Sequence, residues 1–152
     1  MQKNLFCLVL IAATICACAS TKLVKKEIMT QGISGVIVEF SGNQMKGEEV
    51  PKPKGIKADI LVYEKTNINQ TLRDAATGLF TNITTKKKGS TTSDSTGKFS
   101  IALPVGIYSI FIKIENGLYA NLFNQFNDIH TVSVDSGAIA TTTIRINHKA
   151  VY

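Results

Sequence analysis

Tryptophan is absent, proline occurs only 3 times in 152 residues, and all 3 cysteines lie within the first 18. A body free of cysteine holds neither a disulfide framework nor a cysteine-ligated zinc or iron–sulfur site. It needs neither, because a chain of this length buries about two thirds of its unfolded surface in one core. The 2 histidines, His130 and His148, lack cysteine partners and the His-Glu spacing of a zinc site, so both are expected at the surface or on strand edges. No Gly-x-Ser-x-Gly nucleophile elbow and no glycine-rich phosphate loop occurs. The composition thus leads to no catalytic, metal or cofactor expectation. Basic residues do not alternate with aromatics, which argues against a single-stranded nucleic-acid surface, and the net charge of +6 reads as solubility. With 18% charged and 44% hydrophobic residues the chain is globular rather than disordered.

What is present begins at the N-terminus. Lys3 supplies a short positive region, residues 5–13 (LFCLVLIAA) are apolar, and Thr14, Ile15, Cys16, Ala17 and Cys18 follow. This is the layout of a secretory signal. Even counted generously, the apolar stretch is about 15 residues, short of the roughly 20 that a spanning helix needs. Ile15-Cys16-Ala17-Cys18 resembles a bacterial lipobox, with a branched aliphatic residue first and small Ala17 before the modified cysteine. Cys16 fits less well, because bulky Ile15 would sit next to the cleaved bond. The resemblance implies removal of residues 1–17 and a thioether-linked diacylglycerol on Cys18, with acyl chains of the palmitate type. The alternative is an ordinary secretory signal without lipid. Cysteine arithmetic favours the lipid, since Cys18 alone would survive maturation, and a lone free thiol on an exported protein is unusual. Each buried CH₂ contributes about 0.8 kcal/mol to membrane binding, so two or three chains make a stable anchor.

Residues 18–31 then read as a lipidated N-terminus and polar tether with Lys22, Lys25 and Lys26, of which 23–29 suits a short helix. No Asp follows Cys18 directly and no acidic cluster lies beyond it. The expected address is the outer membrane, with the periplasmic side preferred to the surface.

Residues 32–152 form the expected single domain, and strands dominate it. Val36, Val38 and Phe40 share one face of a strand over 32–40. A loop with Glu48, Glu49, Pro51 and Pro53 precedes a second strand over 56–64, where Ala58, Ile60 and Val62 alternate with polar neighbours. A polar stretch follows, with a helical turn at 71–76, a short strand at 79–84 and a Ser/Thr/Gly-rich loop at 89–96. Phe99, Ile101 and Leu103 then face Tyr108, Ile110, Ile112 and Ile114 across Pro104 and Gly106, which reads as a hairpin. After a loop at 117–128, strands at 129–134 and 138–147 meet at Asp135-Ser136-Gly137. Seven strands with turn signals between them lead to an all-β, seven-stranded antiparallel sandwich.

The run from Ser93 to Tyr108 (SDSTGKFSIALPVGIY) resembles the carboxypeptidase regulatory-like domain, and residues 117–121 are similar to stand-alone lipoproteins of this type from Bacteroidetes. The resemblance implies a transthyretin-like (prealbumin-type) Greek-key sandwich. In it Asp94, Gly97, Pro104, Gly106 and Tyr108 define turns and carry no catalysis. Asp94 accepts backbone hydrogen bonds, Gly97 bends the chain, and Tyr108 buries its ring while its hydroxyl finds a partner. Tyr119, Phe123 and Phe126 fall in one loop and make a candidate contact surface for protein or glycan, or else a cap on the sandwich. The expectation is therefore a non-catalytic envelope lipoprotein with an interaction module. The alternative is a carbohydrate or small-ligand binding lipoprotein of outer-membrane uptake.

Overall fold

Alternating β-branched and aromatic residues from position 32 onward give strands throughout the described residues, with a short 3₁₀ turn at Ile68–Gln70. It is a computed structural model and describes residues 29–43, 45, 51–115 and 117–151. Cys18, the signal segment, the tether up to residue 28, and Glu48 and Glu49 lie outside the described residues. The strands are β1 (Gly32–Asn43), β2 (Lys54–Gly55), β3 (Asp59–Glu64), β4 (Leu72–Arg73), β5 (Phe80–Thr81), β6 (Lys87–Thr92), β7 (Lys98–Ala102), β8 (Gly106–Ile114), β9 (Gly117–Tyr119), β10 (Thr131–Val134) and β11 (Ile139–Val151).

They form two sheets. In the four-stranded sheet β1 is central, between β11 on one side and β7 and β2 on the other. The seven-stranded sheet runs β4-β5-β9-β8-β3-β6, with β10 also on β8. The fold is thus an all-β two-sheet sandwich, with three departures from expectation. More strands form than seven, because two-residue pairs such as β4 and β5 escape any periodicity argument. The pairing is not wholly antiparallel: β1 and β11 run parallel, from Gly32 beside Ile139 to Asn43 beside Val151. Half of the Ser/Thr/Gly-rich segment expected as a loop, residues 89–92, belongs to edge strand β6. The expected helical turn at 71–76 is displaced: Leu72–Arg73 form β4, and the turn follows at 75–77, closed by Gly78 N–H donating to Asp74 O at 2.8 Å.

The expected hairpin is a corner between sheets. Strand β7 pairs with β1 in one sheet and β8 with β3 in the other, so Leu103-Pro104-Val105 carries the chain across the sandwich. The turn at Asp135–Ala138 does the same between β10 and β11. Alternation cannot separate the two arrangements, because both place Phe99 and Leu103 in one core with Tyr108, Ile110 and Ile112. Tyr108 secures its corner: the hydroxyl donates to Pro104 O at 2.9 Å, four residues upstream, as in a tyrosine corner. Gln31 ties both corners to the start of β1. Its Nε2 donates to Leu103 O (2.9 Å) and its Oε1 accepts from Gly137 N–H (2.9 Å).

The main core lies between the sheets and includes Ile33, Ile37, Ile60, Val62, Ile110, Ile112, Ile144 and Ile146. Val36, Val38 and Phe40 do share a face of β1, but it is the outer, half-buried one; Ile33 and Ile37 enter the core. A second core of Phe80, Phe111, Ala120 and Ile129 sits on the other face of β8. Tyr63 and Phe80 meet Phe111 edge-on at 5.6 and 5.7 Å.

The turn before β7 is built around Asp94. Its Oδ1 accepts from Thr96 N–H (2.8 Å), Thr96 Oγ1 (2.7 Å) and Lys98 N–H (3.0 Å). Those bonds, the Thr96 hydroxyl first, hold the carboxyl below the usual range. Gly97 has φ +83° and its carbonyl oxygen accepts from Ile37 N–H at 2.8 Å; an added Cβ would lie 2.1 Å from Ile37 O. Gly137 also has a positive φ, +65°, but open space around its Cβ position. Gly137→Ala therefore pays only the left-handed backbone, about 1 kcal/mol, while Gly97→Ala adds a backbone collision and costs about 3 kcal/mol or more. Urea unfolding of both variants checks this; equal losses would show that close approach to β1 is unimportant.

Candidate functional site

Strands β9 and β10 lie on the same edge of β8, opposite residues 112–114 and 106–109. The residues between them, 120–130, cannot continue the ladder and are pushed out over the second core. Ala120 and Ile129 are buried at the two ends and pin the excursion. Between them the chain turns on Asn124, whose Oδ1 accepts from the N–H groups of Phe126 and Asp128, both at 2.9 Å. Asn127 takes a left-handed φ of +62°, which asparagine tolerates better than most residues.

A polar cluster fastens this turn to the neighbouring 65–70 segment. The buried Asp128 carboxylate accepts from Asn124 Nδ2 (3.0 Å) and Asn67 Nδ2 (3.2 Å), and Lys65 Nζ lies 3.4 Å away. These contacts, the Asn124 amide foremost, lower the Asp128 pKa against the opposing effect of burial. Asn67 Nδ2 also donates to Phe126 O at 2.7 Å, and Asn67 caps the 3₁₀ turn in a capping box with Gln70. The loop backbone is thereby held while its apolar side chains point away.

The three aromatics expected together are separated. Phe126 is 68% exposed, and Phe123 is 39% exposed with its ring 6.2 Å from Phe80. Tyr119 is 7% exposed and belongs to the core between the sheets; its hydroxyl donates to Asn147 Oδ1 on β11. Leu122, half exposed beside Phe123, is the member that sequence reasoning missed. An aliphatic residue among the asparagines of ANLFNQFND was the available signal. Asp94, Gly97, Pro104, Gly106 and Tyr108 lie in the turn before β7 and the β7–β8 corner, outside this loop.

His130 is not at the surface. It is 4% exposed, has φ +36°, and neither ring nitrogen has a hydrogen-bond partner among the described residues. Its backbone explains the position: N–H donates to Leu122 O and C=O accepts from Ile110 N–H, so the chain must kink here to enter β10. His148, by contrast, is exposed and lines a groove of about 760 Å³ at the end of the sandwich where β8 finishes. Ile56, Leu79, Ile114 and Ile146 give the groove an apolar floor, and charged side chains including Lys57 and Glu115 line it as well. Among the described residues no group of three or more His, Cys, Asp or Glu is arranged to hold a metal ion. No helix among them is long and apolar enough to cross a membrane.

No family model, curated protein or solved structure matches the chain. The class that the fold defines is an all-β two-sheet protein.

Burial lowers the His130 pKa from 6.5 to about 4. Between those values the unfolded chain binds the proton and the folded chain does not, so stability falls as pH drops from 6.5 towards 4. The full loss is about 3 kcal/mol. The carboxylates with lowered pKa, Asp94 and Asp128 among them, lose their contribution only at still lower pH. Chemical denaturation at pH 7, 5.5 and 4.5 should show the decline, and His130→Asn, which accepts the positive φ, should flatten it. An unaltered slope in the variant would assign the decline to other groups.

Proposed function

We propose that this chain is a non-catalytic lipoprotein of the bacterial cell envelope, held in the outer membrane by acyl chains on Cys18, whose sandwich engages an envelope protein through the 120–130 loop. The observation that carries the reading is that Leu122, Phe123 and Phe126 are exposed on a backbone fastened by Asn67, Asn124 and Asp128. Exposed apolar side chains on a preorganised loop lose little conformational entropy on contact, which favours binding. The transthyretin-like, carboxypeptidase regulatory-like reading of the sandwich draws support from the Asp94 turn, the close approach of Gly97 to β1 and the Tyr108 corner.

The lipid reading rests on Ile15-Cys16-Ala17-Cys18 and the confinement of all cysteines to that segment. Cys18 precedes Gln31 by 13 residues, at most about 45 Å of extended chain. Gln31 bonds to both sheet-crossing corners, so the tether joins the sandwich at the end opposite the groove.

A second reading, small-ligand or carbohydrate binding in outer-membrane uptake, is favoured by the groove, whose volume lies in the range of ligand sites. Among the described residues that line the groove there is no Phe, Tyr or Trp on which a sugar could stack, which ranks this reading second.

Mass spectrometry of the mature protein should find acyl groups on an N-terminal Cys18; an unmodified N-terminus elsewhere would refute the anchor. Crosslinking in native envelope should then recover a protein partner with the wild type. The double variant Leu122→Ser/Phe126→Ser should reduce that recovery at least tenfold without lowering the melting temperature. Equal recovery would remove the loop from the interface, and saturable binding of a soluble glycan that Lys57→Glu abolishes would favour the groove.

A further inference from the structure

The described edges of the two sheets are protected unequally. Edge strand β6 carries Lys87 and Lys88, the latter bonded to Glu64 at 2.8 Å, and a register irregularity interrupts its pairing with β3. Strand β7 begins with Lys98, β2 and β4 have 2 residues each, and β10 has 4. Charge, irregularity and shortness are the usual devices against strand addition. Strand β11 has 13 residues and pairs on one side only, with β1. Its later part is covered: Asn121 Nδ2 donates to Arg145 O at 3.0 Å, and Asn147 N–H donates to the Tyr119 hydroxyl at 3.2 Å. Its first part, Ile139-Ala140-Thr141-Thr142-Thr143-Ile144, has no charge and no proline, and no such cover among the described residues.

Backbone direction alternates along a strand, which shows which groups are free. Ala138 O accepts from Gly32 N–H, and Thr142 O lies against Gly35, so even-numbered residues face β1. Arg145 and Asn147, bonded by Asn121 and Tyr119, face outward. By the same alternation the N–H and C=O groups of Ile139, Thr141 and Thr143 point off the open edge. No hydrogen bond joins these groups to any other described residue.

We infer that a second copy of this chain pairs its own Ile139–Thr143 edge antiparallel with this one, about a two-fold axis at Thr141. That register sets Thr141 opposite its own copy and Ile139 opposite Thr143, so every outward group meets a complement in about six backbone hydrogen bonds. Thr141, Thr143 and Ile139 are exposed on one face and would form uncharged cross-strand pairs. Sliding the register by two residues toward the C-terminus would drive Arg145 and its Asn121 cover into the second copy. In the chosen register Arg145 instead approaches the turn that begins at Asp135, an opposite charge that a second copy supplies and an arbitrary extended peptide does not.

Light scattering of the full chain in detergent micelles, corrected for bound detergent over a concentration series, tests this. The wild type should reach the mass of two chains. Thr141→Lys, which places two ammonium groups face to face on the axis, should restore the single-chain mass with an unchanged circular dichroism spectrum. Thr143→Lys is a second edge variant expected to do the same, and Ser90→Lys on the β6 edge should leave the dimer intact. A wild type that stays at single-chain mass throughout overturns the inference. So does a dimer that survives both edge variants, since it would use another surface.

Discussion

Strand β8 is buried on both faces, and most of the architecture follows from that. Tyr108, Ile110 and Ile112 fill the space between the sheets, while Ser109 and Phe111 face the other way and are also buried. An antiparallel sheet ordinarily leaves one face to solvent. Here the outer face must be covered, and the chain does so with its two irregular excursions, residues 65–86 and 120–130. They bring Ile68, Phe80, Ile83, Ala120 and Ile129 around Phe111, with edge-on aromatic contacts each worth about 1 kcal/mol beyond burial.

Covering a sheet with loops requires partners for the polar groups thereby buried. Ser109 Oγ accepts from Thr66 N–H at 2.9 Å, the Thr66 hydroxyl donates to Glu64 O and meets Thr85 Oγ1, and Ile129 N–H donates to Thr66 O. Asp128 is drawn into the same layer and satisfied by two asparagine amides and Lys65. His130 departs from the pattern, as a buried imidazole without a partner among the described residues. The need to cover β8 thus produces both the loop that presents Phe126 outward and the buried histidine beside it.

The sheet-crossing corners set the remaining geometry. Because β7 and β8 belong to different sheets, as do β10 and β11, one end of the sandwich is closed by two turns that Gln31 joins to β1. The return of β11 parallel to β1 leaves β11 at the sheet margin, with its polar cover confined to the part near Tyr119 and Asn121. Where β1 begins, which loop is presented and which edge is open all follow from these few connections.

Local chemistry was enough to identify strands over much of 32–147, the inward set Ile60, Val62, Tyr108, Ile110 and Ile112, and the turn around Asp94 and Gly97, because period-two alternation and turn residues act over a few neighbours. The amino-acid order also marks Phe123 and Phe126 of the 120–130 loop, though not Leu122 beside them. Sheet membership was decided only by tertiary structure, since a hairpin and an inter-sheet corner require the same alternation of Phe99, Leu103, Tyr108 and Ile110. The face of β1 was likewise settled by packing, where Ile33 and Ile37 prevail over Val36 and Val38 for the interior. Tyr119, Phe123 and Phe126 are equivalent as letters in one loop; what separates them is whether a ring falls between the sheets, against Phe80, or beyond both cores. That depends on long-range contacts, which a local pattern does not contain.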